Sequence, residues 1–127
     1  MEKQKAHILI VEDSENILSL LELMLDINGW KVSSRDNTVD IIEHLQLIKP
    51  NLILMDMLLS GSNGCDACRL IKMTPKTRHI PIVMMSAHPS GELESSGAGA
   101  DYFISKPFEM DELIELINSG LNRSRIS

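Results

Sequence analysis

The stretch Leu52-Ile53-Leu54-Met55-Asp56-Met57 is five apolar residues interrupted by one acid. A short apolar run of this kind, preceded by Pro50-Asn51, reads as a strand buried on both faces of a parallel sheet. A carboxylate at the end of such a run either faces solvent as an ordinary strand-end charge or is buried with its charge balanced and used. Asp56 therefore marks both the end of a strand and a candidate functional group.

The chain on either side of this run alternates short apolar segments with helix-length amphipathic ones. His7 to Val11 reads as a first strand ending in Glu12-Asp13-Ser14, with Ser14 a good N-cap. Ile17, Leu20, Leu21, Met24 and Leu25 recur at helical spacing, and Asn28-Gly29 closes that helix. Trp30 to Ser34 is a weaker second strand. Asn37 or Thr38 is expected to cap a second helix, whose apolar face is Ile41, Ile42, Leu45 and Ile48 and which Pro50 stops.

Beyond Met57, residues 60–64 are a loop by composition. A third helix is predicted over about Cys65 to Met73, a fourth strand over Ile80 to Ser86, a fifth over Tyr102 to Ser105, and a last helix over Met110 to Leu121. Asn122 to Ser127 reads as a polar tail. Strict alternation of strand and helix implies right-handed βαβ units and a parallel sheet with helices on both faces. In such sheets the functional groups lie outside the carboxyl ends of the strands.

Those ends carry Glu12-Asp13, Asp56, Ser86-Ala87 and Ser105-Lys106-Pro107. Three carboxylates brought to one edge repel one another. A divalent cation together with Lys106 cancels their charge. Carboxylate oxygens with retained waters suit Mg²⁺, with Mn²⁺ a second possibility.

Composition narrows the function classes. The 127 residues, 43% of them apolar, suit one domain with a core over about 6–121. A chain of this length buries roughly two-thirds of its unfolded surface and needs no disulfide or structural metal to fold. Twelve basic residues against 18 acidic ones give a net charge of −6, which argues against nucleic-acid binding. The four aromatic residues are too few for a base-stacking platform. No segment approaches the length of a membrane span, and Met1 to Lys5 lacks a signal-peptide apolar core. A cytoplasmic location is expected.

The runs Ile8-Leu9-Ile10-Val11-Glu12-Asp13-Ser14, Pro50 to Met57, Ile80-Pro81-Ile82-Val83-Met84-Met85-Ser86-Ala87 and Ser105-Lys106-Pro107-Phe108 together resemble the receiver domains of bacterial response regulators. The likeness spans about Ala6 to Leu121 and is that of a stand-alone, chemotaxis-regulator-like receiver. It implies a flavodoxin-like, three-layer doubly wound sheet of five strands in the order 2-1-3-4-5. It implies that Asp56 is the phosphoacceptor, charged by a sensor histidine kinase or a histidine phosphotransfer protein in a two-component system or phosphorelay. It implies that Glu12, Asp13, Asp56 and the backbone carbonyl of Met57 hold Mg²⁺. Ser86 would hydrogen-bond the phosphoryl group and Lys106 would pair with it. Phe103 would be the aromatic switch, and Pro107 would follow a cis peptide bond, which only X–Pro sequences reach cheaply. Phosphoryl transfer of this kind needs an in-line nucleophile and neutralised oxygens more than a strong base.

The sequence departs from the pattern in two places. Ser60 stands where the loop after Asp56 usually carries proline, although Gly64 is present at the expected turn. The segment from Ser86 to Lys106 is slightly shorter than usual. Within it, 89–100 offers one large apolar residue, Leu93, where a packed helix wants three or four per two turns. Gly91, Gly97 and Gly99 each cost about 1 kcal/mol in a helix interior. A fourth helix that is short or irregular is therefore expected.

Other features carry weaker signals. Cys65-Asp66-Ala67-Cys68 lies within a predicted helix with no second cysteine pair, so core or surface thiols outweigh zinc or redox use. The eight methionines read as core filling. His7, His44, His79 and His88 show no ligand spacing. His88, two past Ser86, and Leu58, two past Asp56, occupy positions that in receivers tune hydrolysis of the acyl phosphate. An apolar Leu58 implies slow self-dephosphorylation. A phosphatase with an Asp nucleophile would want a second Asp where Leu58 stands, and a flavin domain would want a phosphate loop where Glu12-Asp13 stands. The remaining rival is a pseudo-receiver that binds partners without phosphotransfer.

Overall fold

The computed structural model describes residues 5–59 and 61–126, with side chains up to Arg123. Ser60, the residue in the usual proline position, lies outside the described residues. Five strands form one parallel sheet: β1 (His7–Val11), β2 (Lys31–Arg35), β3 (Leu52–Asp56), β6 (Ile82–Ser86) and β7 (Tyr102–Ser105). Their order is β2-β1-β3-β6-β7. Counted along the chain this is 2-1-3-4-5, as the resemblance implies. Between β3 and the third helix, β4 (Leu58–Leu59) and β5 (Ser62–Asn63) pair antiparallel as a small ribbon. Composition alone marks this segment as a loop, because its strands are too short to show a pattern.

Alternation of side chains along the strands divides the core in two. Leu9, Val11, Ile53, Met55, Ile82 and Met84 point to one face, where α2 (Ile41–Ile48) and α3 (Gly64–Met73) add Ile41, Leu45, Cys65, Cys68 and Ile71. Ile8, Ile10, Leu52, Leu54, Val83 and Met85 point to the other. There α1 (Glu15–Ile27) adds Leu21 and Leu25, and α5 (Met110–Ile126) adds Leu113, Ile117 and Leu121. Each large side chain fully buried this way stabilises the fold by about 1.5–3 kcal/mol.

Several boundaries differ from the sequence reading. Helix α2 starts after Asp40, which has φ +52 and makes no side-chain cap, rather than at Asn37 or Thr38. The Asn37 side chain is already engaged, accepting the Val39 N–H at 2.9 Å and an Arg35 guanidinium N–H at 3.2 Å. Helix α5 runs 17 residues to Ile126, through the segment read as a polar tail. No Gly or Pro follows Leu121 to stop it, and Arg123 suits a helix C-terminus. The closing role of Gly29 holds, since its φ is +93. Helix α4 (Gly91–Gly97) is short, as expected, at seven residues.

Candidate functional site

The carboxyl ends of β1, β3 and β7 bring four charged groups together. Lys106 Nζ stands 3.0 Å from Glu12 Oε1 and 3.4 Å from Asp56 Oδ2. One carboxylate oxygen from each of Glu12, Asp13 and Asp56 can be chosen so that all lie within 4.8 Å of one another. Among the described residues this is the only cluster of three such potential metal ligands. Backbone pairing sets the spacing. Val11 is registered against Met55, so Glu12 and Asp56 follow side by side, and the Lys106 N–H donates to Ser86 O at 2.9 Å.

Local structure orients each carboxylate. Ser14 caps α1 by accepting the Ile17 N–H. The chain turn before it directs the N–H groups of Asp13 and Ser14 at Glu12 Oε2, at 3.1 and 3.4 Å. Glu12 is buried, with its other oxygen on Lys106. Asp56 is 8% exposed. Burial pushes its carboxyl up to about 6, the nearby Glu12 charge adds to that, and Lys106 opposes it. One ammonium against three carboxylates leaves the cluster negative. An all-oxygen donor set of that charge fits a hard divalent cation.

Ser86 ends β6, beside Asp56, whose strand partner is Met85. It is buried, and its Oγ accepts the His88 N–H at 3.0 Å. Phe103 is half-buried against the core face shared with α3. The Lys106–Pro107 peptide is cis. The Met57 carbonyl accepts the Gly64 N–H at 2.8 Å. A Cβ on Gly64 would collide with the Asp56 carbonyl oxygen, so the loop closes tightly on this segment. The Met57 carbonyl thus closes the loop with one of its two lone pairs, and among side chains the fit to a cation rests on the three carboxylates.

Cys65 and Cys68 are free, buried thiols, and burial raises both, Cys68 to about 11. They are core residues without the thiolate character that redox or metal chemistry needs. Sequence reading missed Gly91. It counted there only as a helix breaker, whereas the fold places it against Ser86 and Phe103. No spacing rule signals such a contact, because it joins three separate elements.

Residues 8–118 match the family model for the response regulator receiver domain. The chain is 34% identical over 118 residues to the phosphate regulon transcriptional regulatory protein PhoB of Klebsiella pneumoniae, covering 91% of this chain and 52% of that protein. It is 31% identical over 123 residues to the uncharacterized transcriptional regulatory protein YkoG of Bacillus subtilis (strain 168), covering 95% and 53%. The chain thus spans about half the length of the curated relatives it matches. Among solved structures, a putative response regulator from Chloroflexus aurantiacus J-10-fl superposes with a TM-score of 0.89 at 27% identity, covering 94% of this chain and 99% of that one. The receiver domain of sensor histidine kinase PA1611 from Pseudomonas aeruginosa PAO1 has a magnesium ion in its active-site cleft. It superposes with a TM-score of 0.85 at 26% identity, covering 94% and 99%. No helix among the described residues is long and apolar enough to cross a membrane. With the sheet order, the acidic pocket and the lysine opposite it already in place, the matched model settles the family, and the chain belongs to the response regulator receiver domains.

Proposed function

We propose that this chain accepts a phosphoryl group on Asp56 from a phosphohistidine of a sensor histidine kinase or histidine phosphotransfer protein, and so switches a partner-binding surface. The observation that carries this reading is the cluster of Glu12, Asp13 and Asp56 around Lys106 Nζ. Asp56 is the nucleophile. Its oxygen attacks phosphorus as the phosphorus–nitrogen bond breaks, and the histidine leaves with that electron pair. Asp13, Asp56 and the Met57 carbonyl would hold Mg²⁺ (or Mn²⁺), with Glu12, paired with Lys106, contributing less directly. When bound, the ion supplies charge neutralisation at the phosphoryl oxygens. Lys106 pairs with one of those oxygens and Ser86 hydrogen-bonds another.

Asp56 must be ionised to attack. Its raised value leaves it mostly ionised at pH 7. The partner's approach is favoured by an apolar groove of about 580 Å³ beside the site, walled by Ile17, Leu20 and Met24 of α1 and by Pro107, Phe108 and Met110. Leu20, Leu23 and Ile27 continue that surface as an exposed stripe along α1. Leu58, two residues past Asp56 and 59% exposed, is an apolar side chain that would hinder water near the phosphoryl group. Slow self-dephosphorylation follows, and a lifetime of seconds in purified protein contradicts it.

Metal dependence tests the reading. Transfer from acetyl phosphate should require Mg²⁺ or Mn²⁺ and fall by about a hundredfold in Asp13→Ala. An equal rate in chelator overturns it, and so does an unchanged rate in Asp13→Ala. A pseudo-receiver that only binds partners would show no transfer under any condition.

A further inference from the structure

Two cavities open at the amino ends of the strands, the end of the sheet opposite the carboxylates. One, of about 730 Å³, lies between the end of α2 and the loop before β6 and is lined by Lys49, Lys76 and His79. The other, of about 720 Å³, is lined by Lys5, Lys31, Lys49 and Trp30. Lys49 and Asn51 belong to both. Asp26 is the one acid on either wall, in a chain of net charge −6. Basic side chains elsewhere are engaged: Arg69 pairs with Asp66, Lys72 and Arg123 with Asp101, and Lys106 with Glu12 and Asp56. Among the described residues, no ion pair engages Lys5, Lys31, Lys49 or Lys76. The ridge between the cavities is also fixed in place. Asn51 Oδ1 accepts the His7 N–H and the Asn51 N–H donates to His7 O, both at 2.7 Å. Lys49 is in the left-handed conformation, with φ +49 and ψ +60, where a helix end usually carries glycine or asparagine. A lysine held there at a conformational cost points to a use for its side chain.

We propose that the two cavities form one site for a phosphate chain, either an inorganic oligophosphate or the phosphate tail of a nucleotide, with Lys49 at its centre. All four unpaired cations are lysines. Their compact charges suit tetrahedral, multiply charged phosphates, whereas planar carboxylates are better matched by the fork of arginine. Each cavity is larger than one phosphate group needs, and a chain that crosses Lys49 meets further lysines on both sides. Strand β3 has five residues, so at about 3.3 Å per residue this end stands roughly 16 Å from Asp56. That is beyond the screening length of about 8 Å at physiological salt, so the acidic cluster does not cancel the attraction. The site is independent of phosphoryl transfer at Asp56.

The test titrates the metal-free chain with tripolyphosphate at about 0.15 M salt, where the bare carboxylates repel anions. Amide shifts and the fluorescence of Trp30, the single tryptophan, report binding. Saturable binding is expected, with shifts at Lys31, Lys49, Asn51 and Lys76. Lys49→Gly should weaken it about tenfold or more while raising the urea midpoint, because glycine accepts the left-handed conformation. Lys49→Arg should stay within about threefold of wild type, and Arg78→Ala, which lines neither cavity, within about twofold. Tighter binding of ATP than of tripolyphosphate supports the nucleotide as source, and equal binding supports the phosphate chain alone. Absence of saturable binding overturns the proposal, as does an equal loss in Arg78→Ala, which marks diffuse charge. Hexaglutamate that binds as tightly as tripolyphosphate overturns the phosphate assignment. A lower urea midpoint in Lys49→Gly marks a structural lysine and overturns the proposal too.

Discussion

Helices α4 and α5 both pack against β7, and they are held to it by different means. Helix α5 buries Leu113, Ile117 and Leu121 over 17 residues. Helix α4 has seven residues and buries only Gly91 and Ser95, with Ala98 at its C-cap, while its one large apolar side chain, Leu93, is 78% exposed. Ser95 reaches Met57, the residue after Asp56, through a long Oγ–Sδ contact of 3.8 Å. The apolar area that anchors α5 is missing from α4, so α4 opens at lower free energy. Elements that change state in a switch are best drawn from that end of the stability range. The strand-end site is the reverse case, with Glu12 and Lys106 firmly paired.

The largest effect that sharpens this contrast lies in α5. Leu113→Ala should cost about 2–5 kcal/mol in urea unfolding, because Leu113 is fully buried. In α4, Leu93→Ala should stay within about 0.5 kcal/mol. Equal costs at the two positions break the comparison.

The next effect concerns charge. The Asp56 carboxyl titrates near 6 in the folded chain against 3.8 ordinarily. Between those values the unfolded chain binds fewer protons, so stability falls as pH rises through that window. Asp56→Asn should therefore stabilise the metal-free protein by about 1–3 kcal/mol at pH 7–8, and the gain should vanish below about pH 4. Urea titrations across pH check this, and a destabilised variant at pH 7 contradicts it. Smaller still, Gly97→Ala should stabilise by up to about 1 kcal/mol, since its added methyl meets nothing. Hydrogen exchange should show weak protection over 91–97 and strong protection over the buried turns of α5. Strong protection across α4 contradicts the account.

Much of this was legible in the sequence because burial and charge leave patterns. The runs His7–Val11, Leu52–Asp56 and Ile82–Ser86 are apolar because both faces of the sheet are covered. Their ends carry the polar residues Glu12, Asp56 and Ser86, which interrupt the apolar pattern. The α2 start was not legible, since Asn37 is as good a turn residue as a cap, and tertiary contacts chose the turn. The extension of α5 was hidden because Asn122 to Ser127 has no apolar period, and polarity alone does not end a helix. The Met57 carbonyl was expected as a metal ligand only from resemblance, and its bond to Gly64 was beyond sequence reading. Gly91 was invisible for a similar reason, since its meaning depends on Ser86 and Phe103 arriving from other strands.

The central claim is that Asp56 takes the phosphoryl group. Wild type and Asp56→Ala should be incubated with a small phosphodonor and Mg²⁺, and their intact masses measured. The account predicts a single phosphoryl adduct on wild type and none on Asp56→Ala. An adduct on both proteins, or on neither, contradicts it.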